Sequence, residues 1–272
     1  MKINTLMGML AIAGIVAQAG QDGTAGRVAG EARMLFRDGH PVVDGVYVNG
    51  HGPYGFLVDT GTNVDLIDPH LAETIGLTPT FRSELASSMG ETIVPGADGI
   101  EVRLGLVKAD GQKFLFAGLE AIRHRWPDIQ GVLGQWFLSN FDYTVDFRGK
   151  RLEFGKQDRT GTRSRFRLIN GRTAISTSLG VLILDSGADR LVLFGVQPNI
   201  GSGLMSELRT VTRSQQIGMV FSKQLVIEGR KIWTGDAIAI PSRPEPGVDG
   251  LLPLSLFKII YVCNSAGYIV FE

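Results

Sequence analysis

Phe56-Leu57-Val58-Asp59-Thr60-Gly61-Thr62 and Leu182-Ile183-Leu184-Asp185-Ser186-Gly187-Ala188 are two versions of one signature. Each is an apolar run of strand character that delivers one Asp onto a turn-forming Gly. The two Asp stand 126 positions apart (185 − 59). One carboxylate at the end of a buried strand is common, whereas two on related scaffolds can form a working pair. Like charges a few ångströms apart cannot both ionise easily, so such a pair shares a proton and can serve as acid and base at once.

Downstream blocks recur as well. Gly131-Val132-Leu133-Gly134 leads into Leu138-Ser139-Asn140-Phe141 and then Tyr143-Thr144-Val145-Asp146-Phe147. Gly247-Val248-Asp249-Gly250 leads into Leu254-Ser255-Leu256-Phe257 and then Tyr261-Val262-Cys263-Asn264. The offset is 116 at Gly134 and Gly250 (250 − 134) and 118 at Tyr143 and Tyr261 (261 − 143), the differences being absorbed by loops. A diverged unit of about 110–125 residues used twice accounts for this, and that period is too long for a solenoid. It suits two lobes.

Composition agrees with a globular chain. Of 272 residues, 44% are hydrophobic and 20% charged, which argues against disorder. Lys plus Arg and Asp plus Glu both number 27, so the net charge of zero gives no electrostatic pull toward nucleic acid or an anionic membrane. The 36 Gly and 11 Pro are dispersed, as expected of many short strands joined by turns. His40, His51, His70 and His124 show no metal-ligand spacing, and neither a metal nor an organic cofactor is expected. Cys263 is the single cysteine, so no intrachain disulfide can form, and its apolar run Ile259 to Cys263 suits a small buried hydrophobe.

Residues 1–19 read as an export signal: Lys2, the apolar stretch Leu6 to Val16, then Ala17-Gln18-Ala19 before Gly20. The stretch is well short of the ~20 residues that span a bilayer. The expected mature chain is therefore exported, periplasmic or secreted, and free of the membrane after signal cleavage.

The rest is strand-rich. Val42 to Val48, a loose Gly-rich loop over Asn49 to Pro53 and Gly55 to Val58 form a hairpin that ends at Asp59. Thr173 to Thr177 and Val181 to Leu184, turning near Gly180, repeat it and end at Asp185. Further strands are expected at Val64 to Ile67 and Leu191 to Phe194. Asp68-Pro69 through Gly76 reads as a short capped helix, and Trp136 to Asn140 and Pro253 to Phe257 as single helical turns. Gly155 to Arg165 reads as the linker, with the boundary near Gly161. The expectation is an all-β chain of two homologous lobes, residues 20–160 and 161–272.

With both signatures and both Gly-bearing apolar segments in place, the sequence resembles the retropepsin/pepsin class of aspartic proteases. It is most similar to bacterial exported members whose two retropepsin-like halves are fused, and the resemblance runs from about Pro41 to the C-terminus. It implies that Asp59 and Asp185 are the catalytic pair across a central cleft. It implies that Thr60 and Ser186 lock the two loops by hydroxyl-to-backbone bonds, and that Gly61 and Gly187 give N–H bonds to the carboxylates. Thr62 matches a pepsin-like hydroxyl beside the outer carboxylate oxygen, and Ala188 the retroviral-like version without one. The implied activity is endopeptidase, on a peptide or protein substrate, by a monomer. Gly90 to Gly99 and Ser214 to Val220 are the flap candidates, since the pepsin-type flap tyrosine is absent. Asp249 stands where the first copy has Leu133, and is expected to turn outward. The alternative is an inactive peptide-binding module on the same fold.

Overall fold

The computed structural model describes residues 5–7, 11–12, 30–87, 90–197, 205–209, 214–220 and 224–272. The first half carries β1 (Thr5–Met7), β2 (Ala11–Ile12), β3 (Gly30–Arg37), β4 (His40–Val48), β5 (His51–Val58), β6 (Leu66–Ile67), β7 (Phe81–Ser87), β8 (Gly90–Leu104), β9 (Val107–Phe116), β10 (Ile129–Leu133), β11 (Tyr143–Asp146) and β12 (Arg151–Phe154). Helices α1 (Pro69–Thr74), α2 (Glu120–Arg123) and α3 (Gln135–Leu138) interrupt them. The second half carries β13 (Thr162–Arg165), β14 (Arg167–Ile169), β15 (Arg172–Thr177), β16 (Gly180–Asp185), β17 (Val192–Phe194), β18 (Met205–Arg209), β19 (Ser214–Val220), β20 (Gln224–Ile227), β21 (Arg230–Trp233), β22 (Ala237–Ile240), β23 (Gly250–Pro253), β24 (Ile259–Cys263) and β25 (Tyr268–Phe271). The chain is all-β, as expected.

One succession of pairings builds both lobes. The first sheet runs β3-β4-β5-β10-β6-β9-β8-β7 and the second β14-β15-β16-β23-β17-β22-β19-β18. The direction of each pair matches as well: β5–β10 and β16–β23 are parallel, β10–β6 and β23–β17 antiparallel, β6–β9 and β17–β22 parallel. Between the lobes lies a third element, the run β13-β25-β24-β11-β12-β3. Its middle pair, β24 with β11, is antiparallel with Tyr143 opposite Val262.

The Asp-bearing strands are apolar without alternation because both of their faces are covered. Phe56 and Val58 enter the large central core, while Leu57 packs with Val42, Leu66 and Val132 on the other face. Leu182 and Leu184 enter the same central core, and Ile183 packs with Val192 and Leu251 behind it. Each Asp thus sits at the end of a strand clamped from both sides.

Several local expectations hold. Asp68 caps α1 by accepting from the His70 and Leu71 N–H groups, and Pro69 opens it. The two other helical turns appear as α3 and the 3-10 turn Leu254–Leu256.

Two local expectations need correction. The connection after Val48 is a tight turn, not a loose loop: Asn49 and Gly50 take φ of 48° and 79°, and Val48 pairs with His51. An Asn-Gly pair adopts this left-handed turn readily, so the strand resumes at once. The expected linker is also partly structured, since Thr162–Arg165 form β13 against β25, with Ser164 turned inward. The proposed export signal, Met1 to Ala19, lies outside the described residues apart from the backbone of β1 and β2, which pair with β18 and β7.

Candidate active site

The two Asp-bearing turns meet at the centre of the molecule. Asp59 follows β5, and its N–H donates to the Leu133 carbonyl at 2.9 Å, which fastens the turn to the segment threading behind it. Asp185 ends β16, paired there with Pro253. Both side chains are fully buried. Each carboxyl accepts from the Gly two residues on, Gly61 N–H to Asp59 Oδ1 at 2.8 Å and Gly187 N–H to Asp185 Oδ1 at 2.7 Å.

Four bonds cross from turn to turn. Thr60 Oγ1 donates to the Leu184 carbonyl at 2.9 Å and accepts from the Ser186 N–H at 3.0 Å. Ser186 Oγ donates to the Val58 carbonyl at 2.6 Å and accepts from the Thr60 N–H at 3.0 Å. Each hydroxyl uses one donor and one acceptor site, so the backbone polar groups at this buried junction find partners. A further clamp comes from Gln135 at the start of α3, whose Nε2 donates to the Thr60 carbonyl at 2.8 Å.

The glycines set how closely the turns approach. A Cβ on Gly61 would lie 2.5 Å from Asp185 Cγ, and one on Gly187 would lie 3.0 Å from Asp59 Cγ. Each Gly therefore faces the opposite carboxyl, and a side chain at either would push the pair apart.

Asp59 Oδ2 and Asp185 Oδ2 are buried and accept from no other group among the described residues, and the two carboxyls lie close enough to share a hydrogen bond once one of them is protonated. Burial raises the Asp59 pKa well above the usual carboxylate range, and the neighbouring Asp185 charge raises it further. Burial also raises Asp185, against the opposing N–H bonds from Gly187 and Ala188. The pair therefore holds a proton in conditions where separate aspartates would be ionised.

Of the residues singled out in the sequence, Asp59, Thr60, Gly61, Ser186, Gly187 and Ala188 converge here. Thr62 departs from the expectation. Its hydroxyl accepts weakly from the Val64 N–H at 3.5 Å, and Asp59 Oδ2 is left without it. The Thr62 methyl is turned toward Gly134, where it lies against that strand end. Asp249 is well away from the pair. It is half-buried, pairs with Arg243 and accepts from the Val181 N–H at 2.9 Å. Of the flap candidates, Gly90 to Gly99 lies in β8, paired with β7, and Ser214 to Val220 is β19, paired with β18; residues 88–89 and 210–213 lie outside the described residues.

Sequence reasoning missed two basic residues beside the turns, a neutral imidazole and a guanidinium. His40 opens β4, is buried, lies beside Trp126 with the rings tilted by 55° and meets the Gly187 backbone; burial pushes its pKa down to about 4. Arg172 opens β15, is wholly buried, donates to the Gly61 carbonyl at 3.4 Å and pairs with buried Glu245. The available signal was the turn before each, Asp38-Gly39 and Asn170-Gly171, both with positive φ.

This strand order, with two Asp turns joined hydroxyl to backbone, decides the architecture. The fold is that of the retropepsin/pepsin-like aspartic proteases. A family model described as aspartyl protease matches residues 45–137, the part of the first lobe that contains Asp59. No curated protein sequence matches the chain. An aspartic proteinase from Irpex lacteus superposes with a TM-score of 0.54 at 13% identity, covering 90% of this chain and 97% of its own. Basic 7S globulin from soybean also gives 0.54, at 10% identity, over 91% of this chain and 95% of its own. This aspartic-protease fold is thus shared with a protein named as a proteinase and with one named as a globulin. Activity has to be argued from the paired carboxyls.

Proposed function

We propose that the chain is an aspartic endopeptidase in which Asp59 and Asp185 activate one water. The observation that carries this reading is the pair of buried carboxyls, coupled to each other, on two turns held in one junction by symmetric hydrogen bonds. A fold maintained for structure alone gains nothing from two adjacent buried carboxyls, each of which costs free energy to desolvate.

In the proposed reaction the ionised member takes a proton from water as its oxygen bonds to the scissile carbonyl carbon. The protonated member gives its proton to the carbonyl oxygen, forming a gem-diol without a covalent enzyme intermediate. One carboxyl then gives its proton to the amide nitrogen while the other takes the proton of a gem-diol hydroxyl; the C–N bond breaks, a carboxylic acid and an amine are released, and the pair ends with one proton, as it began. Extended peptide would lie across the cleft by strand-like backbone bonding.

We extend the proposal to export: the mature chain begins near Gly20, outside the cytoplasm. Among the described residues no helix is long and apolar enough to cross a membrane. The decisive experiment on function is cleavage of a peptide library by purified mature chain, blocked by a statine-type mimic and absent in Asp59→Asn. Tight binding of peptide without turnover by wild-type protein would favour the binding-module reading instead.

A further inference from the structure

His40 and Arg172 occupy the same place in the two lobes. Each is the first residue of the strand that follows a two-residue Xaa-Gly turn, with Arg37 opposite His40 and Ile169 opposite Arg172. Each reaches across to the other lobe, His40 to the backbone of Gly187 and Arg172 to the carbonyl of Gly61. Those glycines are the two whose N–H groups hold Asp185 and Asp59. The arrangement is symmetric in position and asymmetric in charge.

We propose that Arg172, with Glu245 as its counterion, is a positioning residue that fixes the Gly61 turn and favours the singly ionised state of the Asp59/Asp185 pair. This rests on the protease reading only for its consequence in catalysis; the electrostatic part concerns the carboxyls themselves. Arg172 faces Asp59 and Asp185 from the two turns and Glu245 from the segment before β23. Glu245 also accepts from the Asn170 amide, which fixes the counterion beside the guanidinium. A cation placed this close favours the charged form of a carboxyl, and in a buried site little water screens it. His40 cannot do the same, because its charged neighbours Asp38 and Arg125 are paired with each other and its imidazole is neutral above about pH 4.

Among the described residues Arg172 Nε has no partner, and a buried guanidinium is expensive to maintain for structure alone. Nor is the Arg–Glu pair needed to close the turn. The first lobe closes its equivalent turn with a neutral ring.

The test is direct titration of the aspartate carboxyls by 13C NMR, with Asp59→Asn and Asp185→Asn used to assign signals. The double variant Arg172→Gln/Glu245→Gln removes both charges together and leaves no unpaired charge. Its first ionisation midpoint is expected to rise by about half to one pH unit, and the acid limb of kcat/KM to rise with it. Arg172→Lys keeps the charge but loses the planar donor, so its midpoint is expected to stay while kcat falls several-fold. A midpoint unchanged in the double variant overturns the proposal. If that variant does not fold, Arg172→Lys decides: a moved midpoint or an unchanged kcat overturns it. Wild-type protein that titrates as a coupled pair yet cleaves nothing would reject the protease reading and leave this one standing.

Discussion

At the scale of single residues, the signature was legible because its interactions are local. An Asp two residues before a Gly makes its own N–H bond, and that much is written within seven residues. Arg172 and Glu245 were not legible, since they lie 73 positions apart and meet only through sheet register. Replacing Asp59 or Asp185 with Asn should abolish hydrolysis, and the double variant should be scarcely worse, because either loss removes the shared proton. Stability should move the other way. Both carboxyls have folded pKa values raised above their unfolded values, so the folded state loses stability as pH rises from the unfolded value of 3.8 through the folded one. Asp185→Asn is therefore expected to raise Tm by several degrees at pH 7, with little effect at pH 3. Thermal unfolding at the two pH values checks the sign.

At the scale of elements, apolar runs ending in Asp predicted strands correctly, and Asp68-Pro69 predicted a capped helix. What failed was length. A Gly-rich stretch read as a loop became a tight turn, and a polar stretch read as linker became an edge strand, because a neighbour waiting to pair overrides weak local preference. The same pairing explains why Gly250 tolerates nothing larger. A Cβ there would overlap the Val192 carbonyl, a backbone atom held in the sheet that cannot give way. Gly250→Ala should cost about 1–3 kcal/mol or more, read as a lower urea midpoint. Ser186→Ala tests the junction between turns. It leaves the Thr60 N–H and Val58 carbonyl buried without partners, which should cost about 1–3 kcal/mol and lower kcat, since the opposite carboxyl is aimed by the same loop. Full activity at unchanged stability would contradict that account.

At the scale of the whole molecule, the two lobes share strands as well as the Asp junction. The run from β13 to β3 puts three strands from each half into one continuous set, joined where Tyr143 to Asp146 pair with Ile259 to Val262. Side chains from both halves, among them Val145, Leu152, Ile260 and Phe271, enter the same central core as Val58 and Leu184. The Asp turns are therefore aimed by a joint that is covalently continuous as well as packed. In an assembly built from two separate copies, the joint would form only on association and activity would follow the dimer concentration. Here both carboxyls belong to one chain, so the monomer should be the active unit. Specific activity should stay constant on serial dilution across the micromolar to nanomolar range, and size-exclusion chromatography should place it at the monomer mass. A steep loss of activity per molecule on dilution, regained on concentration, would show that a second copy completes the site and would reject the single-chain pair.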